Sequence, residues 1–204
     1  MFADLIGDEL RNYRSSQCLP EDFDGFWRET LAQARTYDLD VRVCKMTTPL
    51  KTIDIFDVTF RGYGGQPISA WLRRPRSEPG LLPVIVEYVG YGGGRGLPED
   101  ALFYASCGFA HLHMDTRGQG AASTRGVTPD QGSVGPRVPG MMTAGILDPL
   151  DYCYRRLITD AVRAVDAVEF LPEVNPEAVI VLGTSQGGGL ALATAALSSR
   201  VSHW

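Results

Sequence analysis

The segment that decides the fold is AVIVLGTSQGGGL, residues 178–190. Its first five residues form an apolar run of strand length, and the Ala- and Leu-rich stretch after Ser185 predicts a helix. Between them lies Gly183-Thr184-Ser185-Gln186-Gly187, a match to GxSxG in the strand-turn-helix context that a nucleophile elbow requires. So sharp a turn strains the serine backbone and leaves no room for side chains at positions 183 and 187. Ser185 is therefore predicted to be an exposed nucleophile at the carboxyl end of a sheet strand.

Patterns upstream of this segment predict the rest of the sheet. The early strands alternate polar and apolar residues and are separated by glycine and proline, which indicates antiparallel pairing and a hairpin. The later strands are continuous apolar runs, typical of parallel strands buried on both faces. The predicted elements are strands over residues 41–46, 53–60, 68–73, 82–89 and 109–115 and helices over residues 22–37, 98–108, 148–171 and 186–199. This order predicts an α/β fold of the α/β-hydrolase type, with N-terminal antiparallel strands, then parallel strands with helices on both faces.

Two backbone amides are candidates for stabilising an oxyanion. The N–H of Gln186 would stand at the amino end of the helix that follows the serine, where the helix dipole favours negative charge. A second donor is expected from the loop after an earlier strand, and Tyr91 in the glycine-rich segment 90–96 lies there. The alternative for that segment is a plain turn, because no phosphate-binding glycine motif matches it. The long Gly- and Pro-rich loop 116–147 is a candidate wall of the substrate pocket.

Composition limits the class of protein. The 204 residues, 44% hydrophobic and with net charge −5, predict a single domain over residues 1–204 without a nucleic-acid partner or a cofactor. The pairs Arg73-Arg74 and Arg155-Arg156 are interpreted as solvated charges. The absence of a membrane span and of a basic-then-apolar leader predicts a cytoplasmic protein. The cysteines are expected to be reduced and mostly buried; they are Cys18, Cys44, Cys107 and Cys153.

Several motifs in this order resemble one family, the cephalosporin C deacetylase and acetyl xylan esterase group of α/β-hydrolases. They are Pro20, Asp22, Phe23, Phe26 and Trp27, then Arg117-Gly118-Gln119, Gly145-Ile146-Leu147-Asp148, and Gly183 to Gly189. The resemblance implies removal of acetyl groups from small acetylated sugars or similar alcohols, in hexamers whose narrow entrance restricts large polymers. It also implies Ser185 as nucleophile and Tyr91 and Gln186 as oxyanion donors. Where the family usually has His-Gly-Tyr, this chain has Val89-Gly90-Tyr91, and Arg117 and Gln119 are interpreted as structural residues.

The acid and the base of a catalytic triad follow the serine in this fold. After Ser185 the chain has no Asp or Glu, and its one remaining histidine, His203, is expected at the far end of the helix, roughly 20 Å or more from the hydroxyl. His111 and His113 would share one face of a strand, lack a third metal ligand at suitable spacing, and are interpreted as core residues without a metal.

The chain is therefore expected to be truncated after the elbow helix, with the triad Asp and His absent and residues 179–182 left as an apolar sheet edge. The alternatives to an acetylesterase are a truncated homologue without catalysis, such as an interaction module, and a different α/β-hydrolase such as a peptidase or lactonase.

Overall fold

The computed structural model describes residues 4–76, 78, 80–132 and 140–204. The strands are β1 (Arg42–Lys45), β2 (Ile53–Arg61), β3 (Pro67–Pro75), β4 (Leu82–Tyr88), β5 (Ala110–Met114), β6 (Val174–Gly183) and β7 (Val201–His203). The helices are α1 (Gly7–Asn12), α2 (Phe23–Arg35), α3 (Phe103–Ser106), α4 (Cys153–Ala167) and α5 (Gln186–Leu197). Within these ranges the strands form one sheet in the order β1-β2-β3-β5-β4-β6-β7.

The sheet changes from antiparallel to parallel pairing at its middle. β1, β2 and β3 pair antiparallel, and a short 3₁₀ turn at Tyr63–Gly65 joins β2 to β3. β3 also pairs antiparallel with β5, whereas β4 pairs parallel with both β5 and β6. The parallel pairs need crossovers, which α3 and α4 help to form. The predicted α/β-hydrolase arrangement is therefore confirmed.

Helices cover both faces of the sheet. On one face Val84, Val86 and Tyr88 of β4 are buried with residues of α4 and α5, because alternate strand residues point to the same side. The Tyr88 hydroxyl donates to the carbonyl of Ala161 in α4 at 2.9 Å. On the other face Ala105 of α3 packs in a smaller apolar cluster. None of the helices in the described ranges has the length and apolar character needed to cross a lipid bilayer.

Two predicted helices are shorter than expected. The helix predicted over residues 98–108 is reduced to α3, because Ala101 (φ 53°) adopts a backbone angle that a right-handed helix does not allow. The helix predicted from residue 148 begins at Cys153, since the Asp148 carboxylate accepts the N–H of Leu150 and holds a turn there.

The end of the chain differs most from the prediction. His203 was expected on the helix after the elbow, but α5 ends at Leu197 and His203 belongs to β7. β7 runs parallel to β6 with Val201 opposite Val179, and the Ser202 hydroxyl donates to the Val179 carbonyl at 2.8 Å. The β-branched Val201 packs against the core, which favours a strand over continued helix. The expectation that residues 179–182 form an open sheet edge is therefore wrong for Val179 and Ile180, which pair with β7.

The interpretation of the arginine pairs as solvated is also wrong. Arg73 is fully buried and donates to the carbonyls of Pro98 and Leu97, at 2.9 and 3.1 Å. Arg156 is buried and pairs with Asp130. Burial of these charges is tolerated because each guanidinium has acceptors in reach. The cysteines are free, as expected, but Cys153 is the buried one, and the exposed ones are Cys18, Cys44 and Cys107.

A buried ion pair ties α4 to the loops above the sheet. Arg117 donates to both oxygens of Asp160, and both side chains are almost completely inaccessible to solvent. Asp160 also accepts the N–H of Tyr63 at 2.8 Å, and Arg117 donates to Gln66 at 2.6 Å. Burial raises the pKa of Asp160, although the Arg117 charge opposes this shift. Arg117 therefore has the structural role predicted from the sequence.

We expect Asp160→Asn to lower the free energy of unfolding by about 3 kcal/mol, because Arg117 would stay buried without its main counter-charge. The new amide must also turn its NH₂ group toward a donor, either Arg117 or the Tyr63 N–H. Urea unfolding at pH 7 measures the loss. Asp8→Asn is the matched control, since it breaks an exposed Asp8–Arg11 pair and should change little. Similar losses in the two variants would contradict the assignment.

A polar cluster lies on the face of the sheet that α3 covers. The Nε2 of His111 is 2.8 Å from a carboxylate oxygen of Glu87, and the His111 and His113 rings stack 5.5 Å apart. Arg73 Nη1 lies 3.4 Å from Nδ1 of His113. Burial lowers the pKa of His113 to about 4, with Arg73 acting in the same direction and Glu87 against it. His113 is thus held neutral in the folded protein at pH 7.

The stability of the fold should therefore depend on His113 below neutral pH. Since the folded-state pKa of about 4 lies below the ordinary 6.5, the stabilisation is present above pH 6.5 and is lost as pH falls toward 4. The loss should reach at most about 3 kcal/mol. His113→Gln keeps an acceptor for Arg73 but has no group that titrates. Its free energy of unfolding, measured with urea, should therefore fall less steeply as pH drops from 6.5 to 4. His203→Gln, at an exposed position, should follow the unmodified protein, and parallel curves for all three would refute this role of His113.

Candidate active site

The serine of the GxSxG motif lies in a sharp strand-to-helix turn. β6 ends at Gly183 and α5 begins at Gln186, so Thr184 and Ser185 alone connect them. Ser185 has φ 58° and ψ −122°, a conformation that costs a non-glycine residue about 1–3 kcal/mol. Its side chain is exposed at the amino end of α5. The strained backbone that the motif predicts is therefore present at this position.

The two glycines of the motif are required by close backbone approach. A Cβ at Gly183 would overlap the backbone of Gly187, and a Cβ at Gly187 would overlap the carbonyl oxygen of Tyr88. The second contact presses the start of α5 against the end of β4. It also brings the loop after β4 next to the serine, where a Cβ at Gly90 would lie 3.4 Å from the Thr184 carbonyl oxygen.

Tyr91 lies in a tight turn of this neighbouring loop. The N–H of Gly93 donates to the carbonyl of Gly90 at 3.1 Å, and Gly92 has φ 80°, which favours glycine. Tyr91 itself is 39% exposed. The structure thus brings the loop that contains Tyr91 and the residue Gln186 to the same end of the sheet.

The side chain of Gln186 is held by three partners. Its Oε1 accepts the hydroxyl proton of Tyr154 at 3.1 Å and the amide N–H of Gln119 at 3.0 Å. Its Nε2 lies 3.3 Å from Oε1 of Gln119 and 3.4 Å from the carbonyl of Val89. Gln119 and Gln186 therefore form a reciprocal amide pair beside the elbow.

Gln119 is a site residue that sequence reasoning assigned only a structural role. Besides its pair with Gln186, its Oε1 accepts the N–H of Gly92 at 2.6 Å. The one available signal was the match of Arg117-Gly118-Gln119 to a family motif, and Arg117 has the structural role expected of both residues.

The loop that contains Gln119 is anchored by a buried carboxylate. Asp115 is fully buried and accepts the backbone N–H groups of Arg95, Thr116, Val127 and Thr128, at 2.7 to 3.1 Å. Hydrogen bonds of this charge-assisted kind are among the stronger ones in proteins. They hold the described part of the predicted pocket wall in one conformation, whereas residues 133–139 of that wall lie outside the described residues.

The early family motif, which contains Phe23, Phe26 and Trp27, lies near the hydrogen-bonded side chains of Tyr154 and Gln186. Between α2 and α4 is an apolar cavity of about 240 Å³, lined by Phe23, Phe26, Trp27, Tyr152 and Tyr154. The Arg35 side chain pairs with Asp166 and fastens α2 onto α4. The ring of Tyr154 thus lines the cavity, while its hydroxyl donates to Gln186.

Each of the three histidines has a partner away from Ser185. His111 contacts Glu87, His113 contacts Arg73, and the exposed His203 contacts its neighbour Ser202. Opposite His203 on β6 is Ile180, which lies five positions before the serine. The described residues therefore bring no histidine to the serine hydroxyl.

Sequence reasoning missed a third neighbour of the two core histidines. Candidate ligand atoms of Glu87, His111 and His113 lie within 4.8 Å of one another, because Glu87 pairs with His113 across neighbouring strands. Arg73 has only donors, so the Nδ1 of His113 must accept from it and the ring proton is on Nε2. That proton and the Arg73 charge both oppose a bound cation at this cluster.

Comparison with known proteins gives several close matches. An acetyl xylan esterase from Paenibacillus sp. R4 has the same fold with a TM-score of 0.87 and 43% identity, over 97% of this chain and 62% of that one. Acetyl xylan esterase 1 from Thermoanaerobacterium sp. JW/SL YS485 gives 0.84 and 34%, over 97% and 61%. Acetyl esterase Axe7A of Xylanibacter ruminicola is 31% identical over 190 residues, 89% of this chain and 42% of that protein.

The chain thus spans from about two fifths to about three fifths of the length of these relatives. The sequence model of the acetyl xylan esterase (AXE1) family matches residues 1–203. The motifs that suggested this resemblance are distributed along that whole range, and the elbow has the backbone geometry that they predict. The chain belongs to the acetyl xylan esterase family.

Proposed function

We propose that the protein is a serine esterase that removes acetyl groups from small acetylated sugars or similar alcohols. The observation that supports this most is the conformation of Ser185, an exposed serine at φ 58° between a buried strand and a helix. Strain of this kind is kept only where the surrounding structure enforces it, as Gly183 and Gly187 do here. An ordinary glycine-rich turn would not need it.

In the proposed reaction the Ser185 hydroxyl attacks the acetyl carbonyl and its proton passes to a general base. The carbonyl oxygen becomes negatively charged in the tetrahedral intermediate. The N–H groups of Tyr91 and Gln186 are proposed to donate to it, aided by the dipole of α5. Collapse of the intermediate, with the proton passing from the base to the leaving oxygen, releases the alcohol and leaves acetyl-Ser185. Water then attacks this ester, which gives acetate and free Ser185.

The base and its acid partner are proposed to come from outside these 204 residues. In α/β-hydrolases both follow the serine along the chain, and no Asp or Glu follows Ser185 here. The three histidines are engaged elsewhere. The chain also spans about three fifths of the two solved acetyl xylan esterases, which supports a longer protein as the active form.

Substrate size, assembly and location complete the proposal. The two solved relatives are named acetyl xylan esterases and the third is named an acetyl esterase, which supports an acetylated sugar as substrate. A hexamer in the cytoplasm is proposed from the family resemblance and from the free cysteines of the chain. The proposed chemistry uses backbone amides and side chains only.

In the protein at its full natural length, Ser185→Ala should lower kcat for an aryl acetate and for an acetylated xylo-oligosaccharide by about 10³-fold or more, because the nucleophile is lost. Acetate release measures both. Ser199→Ala, at an exposed serine just after α5, is the matched control and should keep full activity. If Ser185→Ala keeps more than about a tenth of the turnover, Ser185 is not the nucleophile.

The source of the base can be tested separately. The 204-residue chain alone should turn over an aryl acetate far more slowly than the full-length protein. Oxyanion donors without a base leave a rate only about 10³- to 10⁴-fold above that of the uncatalysed reaction in water. Fast turnover by the chain alone that Ser185→Ala abolishes would mean that a base lies within these residues. An anilide and a lactone, offered to the full-length protein, distinguish the peptidase and lactonase alternatives.

A further inference from the structure

We propose that Gln119 is a positioning residue that holds the two oxyanion donors in place relative to each other. The inference rests on the proposed function, since it concerns the same site. It goes further by naming the side chain that joins the loop of Tyr91 to the elbow residue Gln186. Three chain segments meet at this one amide.

The first link is to the loop that contains Tyr91. Gln119 Oε1 accepts the N–H of Gly92 at 2.6 Å, and this N–H belongs to the peptide that directly follows Tyr91. The Gly92 carbonyl accepts the N–H groups of Gly120 and Ala122 at 3.2 and 3.1 Å. Because both sides of Gly92 are held by the same loop, the neighbouring Tyr91 amide has little freedom to rotate.

The second link is to the elbow. Gln119 Nε2 donates to Gln186 Oε1 at 3.0 Å, while the Tyr154 hydroxyl donates to the same oxygen at 3.1 Å. The Gln186 side chain is thereby kept on the side of the Tyr91 loop, and its own Nε2 lies 3.4 Å from the carbonyl of Val89. A displacement of the Gln119 side chain would therefore shift the Tyr91 loop relative to the Gln186 donor, which the elbow holds.

The chemistry of this position requires a primary amide. It must accept from the Gly92 N–H and donate to the Gln186 oxygen, and a glutamine presents both groups in one plane. A glutamate would keep the first bond but place a negative charge beside the oxyanion. A methionine of similar size would make neither bond.

The backbone around Gln119 is held independently of its side chain. Its N–H donates to the Thr116 carbonyl at 3.2 Å, and the Gly118 N–H donates to Thr128 at 2.9 Å. Asp115 and Arg117 on the preceding positions are buried in hydrogen-bond networks. Replacement of the side chain should therefore leave the loop in position and remove only the link to the two donors.

Removal of a single oxyanion donor lowers kcat by about 10²–10³-fold, so misplacing the pair should have a large effect. In the full-length protein, we expect Gln119→Met to lower kcat for an aryl acetate by about 10–100-fold while KM changes less than about threefold. Gln17→Met makes the same chemical change at an exposed position outside the predicted pocket wall and should leave both constants unchanged.

Gln119→Glu gives a second and pH-dependent test in a side chain of the same shape. Its protonated form can both accept and donate, so its kcat relative to the unmodified protein should rise several-fold from pH 8 to pH 5.5 as the carboxyl begins to protonate. A purely structural role would not produce this rise. An unchanged ratio over that range would count against the inference.

Amide exchange tests the link without any catalysis. By hydrogen exchange and mass spectrometry, peptides containing Gly92 should exchange at least about tenfold faster in Gln119→Met than in Gln17→Met, because the Gly92 N–H loses its acceptor. Unchanged exchange together with an unchanged kcat would overturn the inference. If Ser185→Ala retained activity while exchange still responded to Gln119→Met, the proposed function would fail but the link would stand.

Discussion

The lack of a side chain at Gly187 lets α5 begin directly against the carbonyl oxygen of Tyr88. The end of β4 and the start of α5 are therefore in contact, and the loops that follow β4 and β6 are neighbours. Gly183 also lies against the backbone of Gly187. The three residues between these two glycines must therefore reverse direction in a tight turn, which strains the backbone of Ser185. The exposure of the serine and its position at the helix amino end both result from this single steric constraint.

Buried polar residues then bring a third loop to the elbow. Asp115 satisfies several backbone amides at once, and Arg117 is paired with Asp160 beneath the same loop. Burying such groups is tolerated because nearly all their donors and acceptors are matched, and the result is a loop with one well-defined conformation. Gln119 sits on this support and contacts both Gly92 and Gln186. The loop that contains Gln119 thus supports a site whose proposed donors come from two other segments, the loop after β4 and the elbow.

Local signals were sufficient for much of the fold. Strands β1 to β6, the elbow and the change from antiparallel to parallel pairing follow from periodicity and glycine placement, which depend on residues close together in the sequence. The same method failed at the ends of elements. Helix α3 is a single turn because Ala101 adopts a positive φ, and His203 lies on a strand because Val201 packs beside β6. Both outcomes depend on packing that local periodicity does not describe.

The sequence by itself determined the family, the fold class and Ser185 as the candidate nucleophile, because a nucleophile elbow is specified by adjacent residues in one short turn. Only the tertiary structure decided what lies around that turn. Gln119 is 67 residues from Gln186 and 27 from Gly92, yet it bonds to both. Glu87 likewise meets His111 from a neighbouring strand, and Arg73 is buried against the same cluster. Such contacts follow from strand order and loop path, which no local pattern encodes.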